Sequence, residues 1–285
     1  MRLCPLKGLV VSGLLVFSST TVYAKEFQTE GAIGFIDVGS DSYDSTTILL
    51  TGRYFLERIG TGNGPWYEAD FLSHTSHVSA SIGQVDATLG TVDGDGPILN
   101  LAYYHVIPGE LITIEVGYIS TDLDFNGVTA EGSEFSLTGG KFLRPEMWVG
   151  ATYESGTTTF GGSDSDQTTF GVSYKQIMKL QGSQSANIDA MLQSESNDNG
   201  VDKTTNTIIE AGADYYIDEK MGIGGSLNIN SGDAAGDEGN TIEIRGSMFF
   251  TPQVVAELSY SSFSASDTAQ GEDSTSLFLT VGGRF

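Results

Sequence analysis

Beyond residue 24 the chain contains no cysteine at all, and its single one, Cys4, sits in the first few residues with no lipobox around it. That excludes disulfides, a thiol nucleophile and a cysteine metal site from the rest of the protein. Base is scarce too: 13 Lys+Arg stand against 37 Asp+Glu, a formal net charge of −24. Such a surface repels nucleic acid, so no DNA or RNA partner is expected. There are only three histidines, His74, His77 and His105. His74 and His77 are three apart and would point to opposite faces of a strand, which spoils them as a metal pair. No Gly-x-Ser-x-Gly elbow and no Gly-rich phosphate loop is present, so catalysis, a cofactor and a bound metal are not expected. No apolar run beyond the first residues reaches the roughly 18–20 needed for a membrane-spanning helix.

What is present begins with an export leader. Arg2 and Lys7 give a positive start, Gly8 to Phe17 is apolar, and Ser18 to Ala24 is small and polar. Val22-Tyr23-Ala24 offers small residues where a signal peptidase reads, placing the cut before Lys25. Residues 1–24 are therefore expected to be a cleaved signal peptide, and residues 25–285 one β-domain. Disorder, the other common reading of an acidic chain, is at odds with aromatic and β-branched residues spread evenly along it.

Period-two alternation recurs throughout. Ile112, Ile114, Val116 and Tyr118 alternate with Thr113, Glu115 and Gly117; Ile242 and Ile244 alternate with Glu243 and Arg245. Fourteen segments of this kind are expected, with twelve or sixteen as alternatives: 28–38, 46–55, 66–78, 97–106, 111–121, 133–143, 148–156, 167–176, 186–195, 204–217, 222–231, 240–250, 254–263 and 274–285. Most are close to the 9–11 residues, roughly, that a tilted strand needs to cross a bilayer. Compact turns such as Ile107-Pro108-Gly109-Glu110 alternate with longer Gly/Ser/Asp/Asn/Thr connections such as 156–166, 231–239 and 264–273. Short turns at one end and long loops at the other describe a transmembrane antiparallel up-and-down barrel. The long connections hold nearly all their charge as acid, with Lys203 the one base, so one rim is anionic. The longest, Ser79 to Gly96, is a candidate to fold inward, and its Asp93-Gly94-Asp95-Gly96 run has the composition of solvated loops as well as a hint of calcium ligation.

The last residues, Leu277-Phe278-Leu279-Thr280-Val281-Gly282-Gly283-Arg284-Phe285, put Leu277, Leu279, Val281 and Phe285 on one face. This resembles the C-terminal signal strand of Gram-negative outer-membrane proteins, with Phe285 as the insertion signal, and implies recognition by the barrel-assembly machinery. The chain from residue 25 on is similar to the Gram-negative general porins in a smaller, fourteen-stranded form. The resemblance implies an outer-membrane setting among lipid and lipopolysaccharide, and passive diffusion of ions and small hydrophilic solutes. General porins are often sixteen-stranded trimers; this chain departs from that length, and a homo-oligomer is an open alternative. So is a non-conducting barrel that serves as an adhesin or a structural, surface-interacting protein.

If the apolar parity faces lipid, the other parity lines the lumen. It carries Arg53, Glu68, Asp70, Glu115, Glu134, Glu210, Asp214, Glu243, Arg245 and Glu257, with Lys175, Asp189 and Arg284 beside them. Acids outnumber bases there, so mild cation selectivity is expected. Aromatics near the segment ends, among them Tyr54, Trp66, Tyr67, Tyr103, Phe142, Trp148, Tyr174, Tyr215, Phe250 and Phe285, are expected to form an interfacial girdle.

Overall fold

The computed structural model describes residues 26–41, 43–60, 64–200, 203–232, 238–265 and 273–285. The expected leader, 1–24, lies outside them. Fourteen antiparallel strands follow one another around a closed barrel: β1 (Glu26–Ser40), β2 (Tyr43–Gly60), β3 (His77–Leu89), β4 (Val92–Ile107), β5 (Ile112–Phe125), β6 (Val128–Arg144), β7 (Met147–Phe160), β8 (Ser163–Lys179), β9 (Ser185–Asp198), β10 (Lys203–Tyr216), β11 (Met221–Gly232), β12 (Gly239–Thr251), β13 (Val254–Ala265) and β14 (Ser274–Arg284). Each strand pairs with its sequence neighbours, and β14 closes the ring on β1 in register from Glu30↔Arg284 to Ser40↔Ser274. No helix among the described residues is long and apolar enough to cross a membrane; the crossing elements are strands.

Alternation sorts the wall into two faces. Ile242 and Ile244 are about as exposed as any large apolar side chains among the described residues, at 61% and 62%, while Thr241, Glu243 and Arg245 between and beside them are half-buried inside. Leu50, Ile82, Ile209, Ile223, Leu258 and Leu279 repeat the pattern around the circumference. A closed wall whose outer face is apolar fits a bilayer, since every backbone N–H and C=O finds its partner within the ring.

Three expectations need correction. The first concerns the third strand, which runs over 77–89 rather than 66–78; residues 66–73 are helical and fold into the lumen. Second, the stretch 79–96 is no loop: it is most of β3 and the start of β4 around a tight Gly90-Thr91 turn, so it cannot reach inward. Asp93 and Asp95 accept hydrogen bonds across this ladder from Thr88 and Gln84, and no group of three His, Cys, Asp or Glu among the described residues is placed to hold a metal. Third, most of the acidic "loops" are strand. Glycine or Asn-Gly pairs turn the chain within two residues, at Asn126-Gly127 and Gly161-Gly162, where both central residues have positive φ as a type I′ hairpin requires. The strands run 11 to 18 residues. A 14-residue strand at about 3.3 Å per residue and about 40° tilt rises roughly 35 Å, well above an apolar band of about 25 Å. The upper portions have no lipid to face, so their sequence loses the apolar parity by which strands are read.

The girdle is thinner than expected. Tyr54, Tyr103, Tyr215, Phe250 and Phe285 point outward, but Phe142 is buried at 2% exposure, Trp148 turns inward, and Trp66 and Tyr67 belong to the inserted segment.

The outer face yields a direct expectation. Ile244→Arg, midway along β12, should destabilise folding into lipid vesicles by about 2–4 kcal/mol, read from urea titrations; a loss below about 1 kcal/mol would place Ile244 away from the hydrocarbon.

Candidate functional site

Between β2 and β3 the chain does not turn back at once. From Gly64 it enters the lumen at the end of the barrel where β1 begins and β2 ends, forms a 3-10 turn over Trp66–Glu68 and a short helix, α1 (Ala69–Ser73), and leaves through His74. Pro65, extended at φ −56° and ψ 136°, precedes the turn. His74 ends α1 in the left-handed region at φ 52°, uncommon for a residue with a side chain. It is held here: its Nε2 lies 2.8 Å from the Pro145 carbonyl and its ring 4.2 Å from that of Phe142.

This internal stopper is tied to strands all around the ring. On the near wall Ala69 packs with Phe27, Phe55 and Ile59 of β1 and β2. Arg53 Nη1 reaches Asp70 at 2.8 Å and Glu30 at 3.5 Å. Across the lumen, Glu68 takes Lys175 Nζ at 2.7 Å and the Tyr216 hydroxyl at 2.6 Å. The Tyr67 hydroxyl donates to Glu257 at 2.8 Å. The Trp66 N–H donates to the Glu219 carbonyl, and its ring meets Phe249 edge-on. Arg284 joins stopper to seam: its Nε donates to Glu30 at 2.6 Å, its Nη1 to the Trp66 carbonyl at 2.6 Å, and its guanidinium lies between the Phe27 and Phe249 rings.

The expected lumen residues fall into two groups. One is neutralised in pairs: Arg53 and Asp70, Glu68 with Lys175, and Arg245, which bonds Asp214 through Nε at 2.7 Å and Nη2 at 3.0 Å and lies 3.6 Å from both Asp189 and Glu243. Glu257 belongs here through Tyr67. Glu68 and Asp70 lie on the stopper rather than on a strand. The second group is unpaired. Glu115 and Glu134 have no hydrogen bond or ion pair among the described residues, and Glu210 has only Asn228 Nδ2 at 3.4 Å. All four lumen bases, Arg53, Lys175, Arg245 and Arg284, are spent on other acids.

Reading from sequence missed four members. Glu30 sits on the inner parity of β1, opposite Ile33 and Phe35, and was open to the same reading. Glu154 and Glu195 join Glu134 in a row: Glu154 pairs with Ser136 and Thr169, and Thr169 with Glu195. Glu195 ends the expected 186–195 segment, whereas β9 runs on to Asp198. Trp148 is the fourth. Its indole lies flat over Gly140 and Gly150, where a Cβ would come within 2.4 and 2.2 Å of the ring, and its Nε1 donates to Thr113 Oγ1 at 3.0 Å. Two glycines flanking a tryptophan across adjacent strands are the signal of such a close approach.

Three water-accessible spaces surround the stopper. The largest, about 460 Å³, is lined by Arg53, Asp70, Phe71, Tyr104, Glu115, Trp148, Lys175, Asp189 and Glu210 among others. One of about 330 Å³ lies against β1, β2, β13 and β14, and one of about 370 Å³ faces β8 to β13.

The backbone is similar to that of the outer membrane protein Omp33 of Acinetobacter baumannii, with a TM-score of 0.61 at 18% identity over 92% of this chain and 99% of that one. It is also similar to CymD, a monoaromatic hydrocarbon channel, with a TM-score of 0.55 at 9% identity over 91% and 89% of the two chains. At these identities the likeness is one of fold alone, a closed antiparallel β-barrel. No protein family matches the sequence, and no curated protein matches it.

The stopper's charge ties carry a pH expectation. Burial pushes the Asp70 carboxyl up, but the Arg53 guanidinium, the Lys175 ammonium and the Phe71 backbone N–H outweigh it and hold Asp70 below the usual aspartate range. A depressed carboxyl stabilises docking above its free value of about 3.9 and loses that contribution as pH falls through the lower, docked value. Single-channel conductance should therefore rise on acidification to about pH 3, and Asp70→Asn should raise it already at pH 7 while flattening the acid response. An Asp70→Asn channel with wild-type conductance and pH profile would show that this pair does not hold the stopper.

Proposed function

We propose that this chain is a narrow outer-membrane porin that passes ions and small hydrophilic solutes with a mild preference for cations. The observation that carries the reading is the lumen's unbalanced charge. Every interior base is matched, while Glu115, Glu134, Glu154, Glu195 and Glu210 have no ion pair among the described residues. Unpaired carboxylates beside water-accessible space lower the free energy of a cation there and raise that of an anion. The acidic upper rim adds to this by concentrating cations at the mouth.

On this reading the compact-turn end faces the periplasm and the acidic rim faces outward, where divalent cations can bridge it to lipopolysaccharide. The leader directs export, and Phe285 at the end of β14 is read by the barrel-assembly machinery. A charged lumen of this kind suits hydrophilic solutes rather than the hydrocarbons named for CymD. Catalysis has little support. Ser76 Oγ lies 3.2 Å from His105 Nδ1, but it also accepts the Val106 N–H, and no carboxylate among the described residues completes a triad behind His105.

The stopper favours a second reading, a barrel that conducts little or nothing and serves as an adhesive or structural surface. One experiment separates them. The refolded protein is placed in a planar bilayer under a KCl gradient, alongside a variant with residues 65–75 replaced by a short Gly/Ser turn. Open steps in the intact protein, several-fold larger in the variant, with a cation-biased reversal potential, support the porin. Silence in both would overturn it.

Selectivity is tested separately. The triple change Glu134→Gln, Glu154→Gln and Glu195→Gln should move the reversal potential at least halfway toward zero with little change in conductance. An unmoved potential would show that this row of carboxylates does not face the conducting path.

A further inference from the structure

The space of about 460 Å³ beside the stopper is lined by charged and aromatic side chains together. Its bases are already satisfied, Arg53 by Asp70 and Lys175 by Glu68. What it offers a visitor is therefore carboxylate and aromatic surface. Glu115 on β5 has no hydrogen bond or ion pair among the described residues. Glu210 on β10 has only the long contact from Asn228, and Asp189 is adjacent, since its register partner Gly212 lies two residues along from Glu210. Among the aromatics, Trp148 is spread flat against the wall by Gly140 and Gly150, which leaves its other face to the cavity. Tyr104 and Phe71 line the same space.

We propose that this cavity is a binding site for a small organic ammonium with an aromatic or aliphatic body, a substrate class for the channel. The ammonium is held between Glu115 and Glu210, and the body lies on Trp148 and Tyr104. The protein already contains the recognition in miniature. Lys175 places its own ammonium 2.7 Å from the Glu68 carboxylate and 4.8 Å from the Phe71 ring centroid, the carboxylate-plus-ring arrangement that suits an amine. A bare metal ion fits poorly, because no group of three acidic, histidine or cysteine side chains among the described residues is placed to hold one. An anion would meet three carboxylates and no free base. The row Glu134, Glu154 and Glu195 lines the wall on the rim side of the cavity and would draw a cation toward it.

The proposal rests on the porin reading for its route of access, but binding itself can be measured without conduction. The test is isothermal titration of the detergent-solubilised full chain with phenethylamine, with 2-phenylethanol, phenylacetate and KCl as comparisons. Phenethylamine should bind saturably with a millimolar or tighter Kd, the alcohol and potassium at least tenfold more weakly, and phenylacetate without detectable heat. The double change Glu115→Gln and Glu210→Gln should weaken phenethylamine at least tenfold, and Trp148→Leu several-fold, in protein whose heat-modifiable gel migration confirms a folded barrel. Equal binding of amine and alcohol, or an unchanged Kd in the double variant, would overturn the proposal. A protein that binds the amine but is silent in bilayers would sink the porin reading and leave this site standing; one that conducts but shows no preference for the amine would sink only the site.

Discussion

Everything else in this molecule depends on closure of the backbone ladder. A bilayer offers no partner to an unpaired N–H or C=O, and each would cost several kcal/mol, so the fourteen strands must end where they began. The β1–β14 seam accomplishes this over eleven register pairs. Once closed, strand geometry alone assigns every second residue to lipid and every other to the interior. The outer face needs only to be apolar, which is why Ile, Leu and Val there are interchangeable in kind. All chemical particularity is confined to the inner parity and to whatever fills it.

A closed ring of this size leaves an interior that strand side chains do not fill, and the protein fills part of it with its own chain. The stopper lowers a polar backbone segment into a polar space, where the free carbonyls and N–H groups of a short helix can still find partners: Trp66 N–H with Glu219, the Trp66 carbonyl with Arg284. Arg284 couples this to closure itself, since it lies at the first β1–β14 pair and grips both Glu30 across the seam and the stopper beside it. Its guanidinium can do so because it presents several donors in one plane while its faces remain free for Phe27 and Phe249.

How much of this was legible in the sequence follows from what lipid imposes. Where a strand crosses the bilayer, alternation is enforced, and β11, β12 and β14 were read almost to the residue. Where strands rise beyond the bilayer, nothing enforces an apolar face, and the upper ends of β7, β8 and β9 (157–160, 163–166 and 196–198) read as Gly/Ser/Asp loops. Asn126-Gly127 carried the contrary message, since that dipeptide favours a two-residue hairpin, and it outweighs the polarity of its flanks. The stopper was mistaken for a strand because Trp66 to Ser73 is short and mixed, with no helical period long enough to show. Its acids, Glu68 and Asp70, were nonetheless placed in the lumen, because charge has nowhere else to go in a membrane barrel. Ion pairing was the part that composition hid: the pattern shows four bases and many acids inside, but only geometry shows that the bases are all engaged on the stopper or with Asp214, leaving Glu115, Glu134, Glu154, Glu195 and Glu210 without an ion pair among the described residues.

The stopper's contacts are of two kinds, and the two respond differently to water. On the side of β1 and β2, where the chain enters it, Ala69 is packed into Phe27, Phe55 and Ile59, contacts that water cannot replace. On the far side it reaches β8, β10 and β13 through Glu68–Lys175, Glu68–Tyr216 and Tyr67–Glu257, groups that water solvates well once parted. Removing an apolar contact exposes surface at a steady cost per unit area, whereas parting an ion pair in a wet lumen returns most of the desolvation cost of its members. Each side carries both kinds: Arg53–Asp70 lies beside the Ala69 packing on the near wall, while elsewhere on the ring Trp66 meets Phe249 and His74 meets Phe142. Parting the ion pairs therefore loosens the stopper on every side, while its apolar contacts still hold it inside the barrel.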